Sequence, residues 1–279
     1  MKSKGNCEAS NAPQIIRFNK NWYFDDLIDG ENIKILPAYK KANSFLRVLR
    51  KLHLEYSIPF KNIWFNEGEI KEINNETIIV FDSVVNEEFI KYLKRIHPKK
   101  RIIFWYWNPV RNSVDPSKLT SDLCEKWSYS LVDCKKYNFK YNTTFYFKEL
   151  VVPKTKPVYD IFFIGKDKGR LKELLDLKNK FENLDLKVNF HITPKKRYMM
   201  KIDSIYRNSI TYDEVLTKIG KSKAILDILS NPNDGLSLRP MESMFHRKKL
   251  ITNSLLISNY DFYRSQNIFI LGEDDLNKL

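Results

Sequence analysis

Four stretches of this chain are almost continuously apolar and rich in β-branched or aromatic residues: TIIVFDSVV (77–85), RIIFWYWNPV (101–110), YDIFFIG (159–165) and AILDILS (224–230). A strand with one face in water alternates polar and apolar residues, whereas a strand covered on both faces reads as an apolar run. Two of the four runs are followed directly by strong helical periodicity, NEEFIKYLKRIHP after the first and GRLKELLDLKNKFENL after the third. Buried strands alternating with amphipathic helices specify an α/β chain with parallel sheets and helices on their faces.

The alternation appears twice. In the first half, NSFLRVLRKLHLEY and SDLCEKW read as helices and NIWFNEG and SYSLVDC as strands, while the first 30 residues show no pattern. Asn86 is the expected cap, and Glu87 and Glu88 the first turn, of the helix after the first run. VVPKTKPVYD (151–160) holds two prolines and two lysines without periodicity and marks a joint. The expected division is a first domain over 1–152, a linker over 153–158 and a second domain over 159–279. Beyond the joint, LKVNFHI, KLITNS and NIFIL read as strands, TYDEVLTKIGKS as a helix capped by Thr211, LRPMESMFHRK as another helix, and EDDLNKL as the start of a last one. A length of 279 residues suits two domains. Open parallel sheets bind ligands outside the carboxyl ends of their strands, at the point where strand order reverses. With two such sheets, a central cleft is the expected site.

No run approaches the roughly 18 to 20 apolar residues that a membrane span needs, and MKSKGNCEASNAP lacks the apolar core of a signal peptide. A cytoplasmic protein is expected. Cys7, Cys124 and Cys134 have no CxxC spacing and read as reduced thiols. The four histidines form no HxxxH or HExxH pattern, and Asp25-Asp26 and Asp274-Asp275 sit in poor contexts for a metal-binding DxD, so no metal and no cofactor are expected. The net charge of +14 is spread over both halves, with local concentrations at Lys40 to Lys51 and Lys91 to Arg101. Solvated helix faces account for it, as does docking on anionic lipid. No nucleic-acid motif accompanies it, so a nucleic-acid partner is not expected.

Two stretches could carry chemistry. In FFIGKDKGR (162–170), Gly165 and Gly169 allow close approach of backbone to an anion and Arg170 opens the next helix; a tight turn explains the same spacing. In NDGLSLRPMESMF (233–245), a turn precedes a helix that begins near Ser237 or Leu238. Amides along Gly235, Leu236, Ser237 and Leu238, with Arg239 in the first turn, suit a diphosphate. Pro240 is tolerated there because first-turn amides have no intrahelical partner. Glu242, one turn in, is an acceptor suited to a ribose diol, and Asp234 could meet a sugar hydroxyl. Asp227 is an acid inside an apolar strand and requires a bonded partner, the cap of a neighbouring loop.

This second stretch resembles the donor motif of GT-B glycosyltransferases, written roughly EGFGLPxxEAM. DGLSLRPMESM is in register with it: Asp234 and Glu242 at the acidic positions, Gly235 at the glycine, Met244 at the methionine. Asp replaces the first Glu, and Arg239 stands where the family usually has Pro. The resemblance, which covers roughly residues 75 to 275, implies a GT-B-like pair of Rossmann-like domains and a transferase of the capsule and lipopolysaccharide type. It implies a UDP-sugar donor, ribose contact by Glu242, sugar contact by Asp234, and a base pocket at Thr211 and Tyr212. A glycan or lipid-linked acceptor follows, at the inner membrane face and without a metal. Asp82, at the end of TIIVFD, is the candidate general base for an inverting transfer. The aromatic run FWYWNP (104–109) is either core or an acceptor-stacking wall. Competing readings are a nucleotide-sugar epimerase of the same fold and a non-catalytic protein that binds nucleic acid or a partner.

Overall fold

The computed structural model describes residues 12–17, 35–56, 58–82, 87–195, 199, 204–232 and 235–279. The expected cap Asn86 and the expected sugar contact Asp234 lie outside them. The chain divides into two compact units, residues 1–143 and 144–279. The segment 153–158, read above as a linker, falls within the second.

The first unit is a six-stranded parallel sheet in the order β2-β1-β3-β4-β5-β6. Its strands are β1 (Gln14–Arg17), β2 (Ile35–Pro37), β3 (Thr77–Phe81), β4 (Arg101–Tyr106), β5 (Glu125–Ser128) and β6 (Lys140–Tyr141). Its helices are α1 (Ser44–Glu55), α2 (Glu67–Lys71), α3 (Glu87–Ile96) and α4 (Leu131–Tyr137). β3 and β4 are the apolar runs and form the middle of the sheet. Ile78, Val80 and Phe104 pack with Phe89 and Leu93 of α3 into one core.

Three expectations are corrected here. SDLCEKW is not a helix and SYSLVDC is not a strand: the strand is Glu125–Ser128 and the helix starts at Leu131. The Ser130 hydroxyl accepts the Asp133 amide at 3.2 Å, a cap that ends the strand and begins the helix. NIWFNEG is a 3-10 turn running into α2, because Phe65 makes only one bridge, to Tyr39. The unpatterned start of the chain contributes β1, whose four residues are all buried.

The second unit is a five-stranded parallel sheet in the order β11-β10-β9-β7-β8. It comprises β7 (Tyr159–Lys166), α5 (Leu171–Glu182), β8 (Val188–Thr193), α6 (Tyr212–Gly220), β9 (Ser222–Asp227), α7 (Leu238–Phe245), β10 (Lys249–Thr252) and β11 (Ile268–Ile270). EDDLNKL yields only a 3-10 turn, Leu276–Lys278. The chain leaves β7 toward β8 on one side and then continues to β9, β10 and β11 on the other. The order therefore reverses between β7 and β9, at the centre of the sheet. In the first unit the same logic puts the reversal between β1 and β3. Both units are doubly wound, and in each the reversal fixes where a ligand would meet the strand ends.

Candidate functional site

Both stretches singled out in the sequence end at the β7/β9 reversal. β7 leaves the sheet through Asp167, Lys168 and Gly169. The buried Asp167 carboxylate accepts the Gly169 amide at 3.0 Å and the Tyr206 hydroxyl at 2.8 Å, which holds the loop. Gly169 takes φ +86, a left-handed value that favours glycine. Arg170 then folds back over the strand it has just left. Its Nη2 donates to the Lys166 carbonyl at 3.2 Å, and its guanidinium lies 5.6 Å from the centre of the Phe163 ring. A Cβ at Gly165 would stand 3.2 Å from that Nη2 and from Phe163 Cζ, so glycine gives the arginine its seat.

β9 ends on Asp227. Its carboxylate is buried and accepts the Ser237 hydroxyl at 2.8 Å. Ser237 in turn accepts the Arg239 amide at 3.1 Å and is the cap of α7. The bonded partner required for Asp227 is thus the cap of the following helix. Burial pushes the Asp227 carboxyl up to about 6, against the Ser237 bond and the charges of Arg239 and Arg170. Burial also lowers the Arg170 pKa, with Asp227 as the leading opposing charge and Arg239 acting in the same direction as burial. Two carboxylates, Asp227 and Glu242, and two guanidiniums, Arg170 and Arg239, therefore act on one another at the strand ends.

The start of α7 offers an anion fewer amides than its sequence suggests. Arg239 gives its amide to Ser237, and Pro240 has none. Gly235 and Leu236 are buried, and the Leu236 carbonyl accepts the Thr144 hydroxyl at 3.3 Å.

Glu242 does not face solvent: its exposure is 0%. One carboxylate oxygen accepts the Tyr212 hydroxyl at 2.8 Å and the other pairs with the Arg239 guanidinium. Burial raises its pKa, opposed by Arg239 and Tyr212. The Tyr212 hydroxyl also meets that of Tyr146 at 2.7 Å, and Tyr146 meets His246 Nε2 at 2.9 Å. The Tyr212 hydroxyl has one proton and gives it to Glu242, which fixes the proton directions in sequence. Tyr212 donates to Glu242, so Tyr146 must donate to Tyr212, and His246 Nε2–H to Tyr146. Burial pushes His246 down to about 4, so it is neutral at pH 7. The carboxylate expected to meet a ribose is thus engaged within the protein and anchors Arg239.

Thr211 and Tyr212, the expected base pocket, also have internal duties. Thr211 forms a capping box with Glu214, whose carboxylate accepts the Thr211 amide at 2.8 Å. Tyr212 is the buried link just described. Tyr146 was missed by sequence reasoning, and no local spacing marks it. Asn253, also missed, clamps the loop after β9 by accepting the Leu229 amide at 2.7 Å and donating to its carbonyl at 3.0 Å.

A cavity of about 720 Å³ opens over these strand ends. Lys168 and Arg170 after β7, Ser230 after β9, Asn253 after β10 and Gly272 after β11 contribute to its wall, and α5 adds both cations, Lys172 and Lys180, and carboxylates, Glu173 and Asp176. Among the described residues, no group of three His, Cys, Asp or Glu side chains could hold a metal ion, and no helix is long and apolar enough to cross a membrane.

In the first unit, Asp82 follows β3 at the β1/β3 reversal. It accepts the Asn108 amide at 3.0 Å and side chain at 3.3 Å, yet burial pushes it up to about 6. Of the aromatic run, Phe104, Trp105 and Tyr106 are interior, and Trp107 stacks on Phe81 at 5.5 Å.

No family model and no curated protein matches the chain. Among solved structures, a spinosyn forosaminyltransferase is similar, with a TM-score of 0.41 and 9% identity over 94% of this chain and 86% of that one. The architecture given above rests on the two sheets themselves.

Proposed function

We propose that this chain is a glycosyltransferase of the GT-B kind, whose second unit binds the diphosphate of a UDP-sugar at the β7/β9 reversal. The observation that carries the reading is that Arg170, in the wall of the cavity, and Arg239 both act on the buried Asp227 at the end of β9. Two separated stretches, each readable as an anion site, meet at the position where doubly wound sheets bind nucleotides. In the transfer, the bond from the anomeric carbon to the diphosphate oxygen breaks and its electron pair stays on the diphosphate. The two guanidiniums offset that charge without a metal ion. The acceptor hydroxyl oxygen forms the new bond, and its proton passes to a base. Asp82, with a pKa near the working pH, suits that role for an acceptor presented by the first unit.

The acceptor is a growing cell-surface glycan or its lipid-linked precursor. Asp234 keeps its proposed contact with the donor sugar. For Glu242 the proposed role changes from ribose ligand to anchor of Arg239.

Titration of UDP and UDP-sugars, read by melting temperature, tests this, because a ligand that binds the native state raises the melting point. Saturable stabilisation by UDP is expected, and Arg170→Ala should weaken it about 10- to 100-fold, the loss of one charge-assisted contact. Arg239→Ala should act similarly but also strands Glu242, so Arg170→Ala, which leaves that pair intact, is the cleaner variant. Absence of nucleotide binding, or affinity unchanged in Arg170→Ala, would overturn the reading.

A further inference from the structure

Helix α1 is turned inside out. Its outward stripe is Phe45, Val48, Leu49 and Leu52, an apolar set at the spacing of one helical face, with Phe45 69% and Val48 59% exposed and the exposed C-cap Tyr56 following it. No residue of the helix is buried. The side turned toward the unit is largely polar. The Arg50 guanidinium lies 4.4 Å from the centre of the Tyr39 ring and donates to the Lys40 carbonyl at 3.2 Å. His53 Nδ1 accepts the Trp64 indole N–H at 3.0 Å, and its Nε2 sits 2.8 Å from the Pro59 carbonyl. Of the helix's leucines, Leu54 alone packs against the core. The loop after the helix repeats the display: Phe60 is 75% exposed in a left-handed conformation, φ 64, and Ile58 and Ile63 are exposed beside it in sequence. A soluble surface rarely gathers this many large apolar side chains on one element.

We propose that α1 and the Ile58–Ile63 segment form a docking face for an anionic phospholipid surface, with the apolar stripe inserted at the headgroup level. The charge identifies the occupant. Lys40 and Lys41 precede the helix and Arg47 and Lys51 sit on it, all exposed, while Glu55 is the one acid between Lys40 and Ile63. An apolar stripe flanked by cations is the pattern of helices that lie in a membrane interface. A second copy fits poorly, since a two-fold pairing would set these cations against their own counterparts. Protein interfaces are also depleted in lysine. This inference stands apart from the donor-site reading, because it rests only on residues 40–63 of the first unit.

The test is flotation of the full chain with vesicles of phosphatidylcholine, with and without added phosphatidylglycerol. Wild type should float with the anionic vesicles and less at high salt. Lys41→Gln and Lys51→Gln should each weaken binding about fivefold. Leu49→Asp with Leu52→Asp should abolish flotation, with the melting temperature and the response to UDP unchanged, since both side chains are already exposed. Failure of wild type to float with anionic vesicles overturns the proposal, as does flotation unaffected by the aspartate pair. Self-association lost in that pair, without flotation, assigns the face to a second copy and also overturns it.

Discussion

Asp227 shows what a single residue contributes and how much of that can be read in advance. An acid inside AILDILS demands a donor, and that much follows from the sequence. Its donor is Ser237, ten positions on, a distance short enough for a strand followed by a turn to span. Glu242 is different: its partners Tyr212 and Arg239 are 30 and 3 positions away, and Tyr146 lies a further 66 from Tyr212. The Arg239 pair is an i,i+3 helix contact, but no spacing rule encodes the links to Tyr212 and Tyr146, so the motif fixes the place of the carboxylate but not whether it faces a ligand. The pH response of Asp227 follows from its burial. Because burial raises its folded pKa to about 6, above the 3.8 of an ordinary aspartate, the neutral acid is the form the fold favours. Its contribution to stability is complete below about pH 4 and is lost as pH rises toward 6. The shift corresponds to about 3 kcal/mol. Asp227→Asn keeps an acceptor for Ser237 without the ionisation. Urea denaturation across pH 4 to 7 should show wild type losing about 3 kcal/mol relative to the variant, whereas parallel profiles would mean that the two arginines neutralise the charge outright.

Among elements, the strands buried on both faces were the legible ones. β3, β4, β7 and β9 all lie where their apolar runs predict. β5 was not found because it carries its chemistry on one side: Glu125 accepts both Nε and Nη2 of Arg101 from β4, at 2.8 and 2.9 Å, and the Lys140 ammonium from β6 at 3.1 Å. A charged cross-strand ladder satisfies such a strand near the sheet edge, where an apolar-run criterion is blind. β1 and β2, four and three residues long, are too short to show a period. Helix ends were better marked, as the Thr211–Glu214 capping box shows. At α7 the cap couples element to site, because the Ser237 hydroxyl both accepts the Arg239 amide and donates to Asp227. Ser237→Ala should therefore cost more than an ordinary cap, about 1 kcal/mol, plus about 1–3 kcal/mol for a buried acceptor left without its donor. Denaturant titration checks the sum. A loss no larger than a simple cap would mean that Asp227 recruits another donor, Arg239 and then Arg170 being the charges that act on it most.

At the scale of the molecule, alternation of strands and helices implies parallel sheets, and the hand of crossovers restricts their winding. Neither says on which side of β7 the chain continues, so the strand order that creates the site was not legible. That order is the same in kind in both units, and each unit closes its own interior. Ile161, Leu174 and Ile251 belong to one core, and Phe65, Phe89 and Phe104 to the other. Separate cores predict separable responses. Phe89 is fully buried, with its ring edge-on to Phe65 at 5.0 Å. Phe89→Ala should cost the first unit about 3–5 kcal/mol, a large part of the ~5–15 kcal/mol that holds a domain together. The donor contacts proposed here all lie in residues 144–279. Calorimetry of Phe89→Ala should then show an early transition for the first unit and a later one that UDP still raises as in wild type. One merged transition, with the UDP response gone, would mean that the two cores melt as a single cooperative body and that donor binding depends on both.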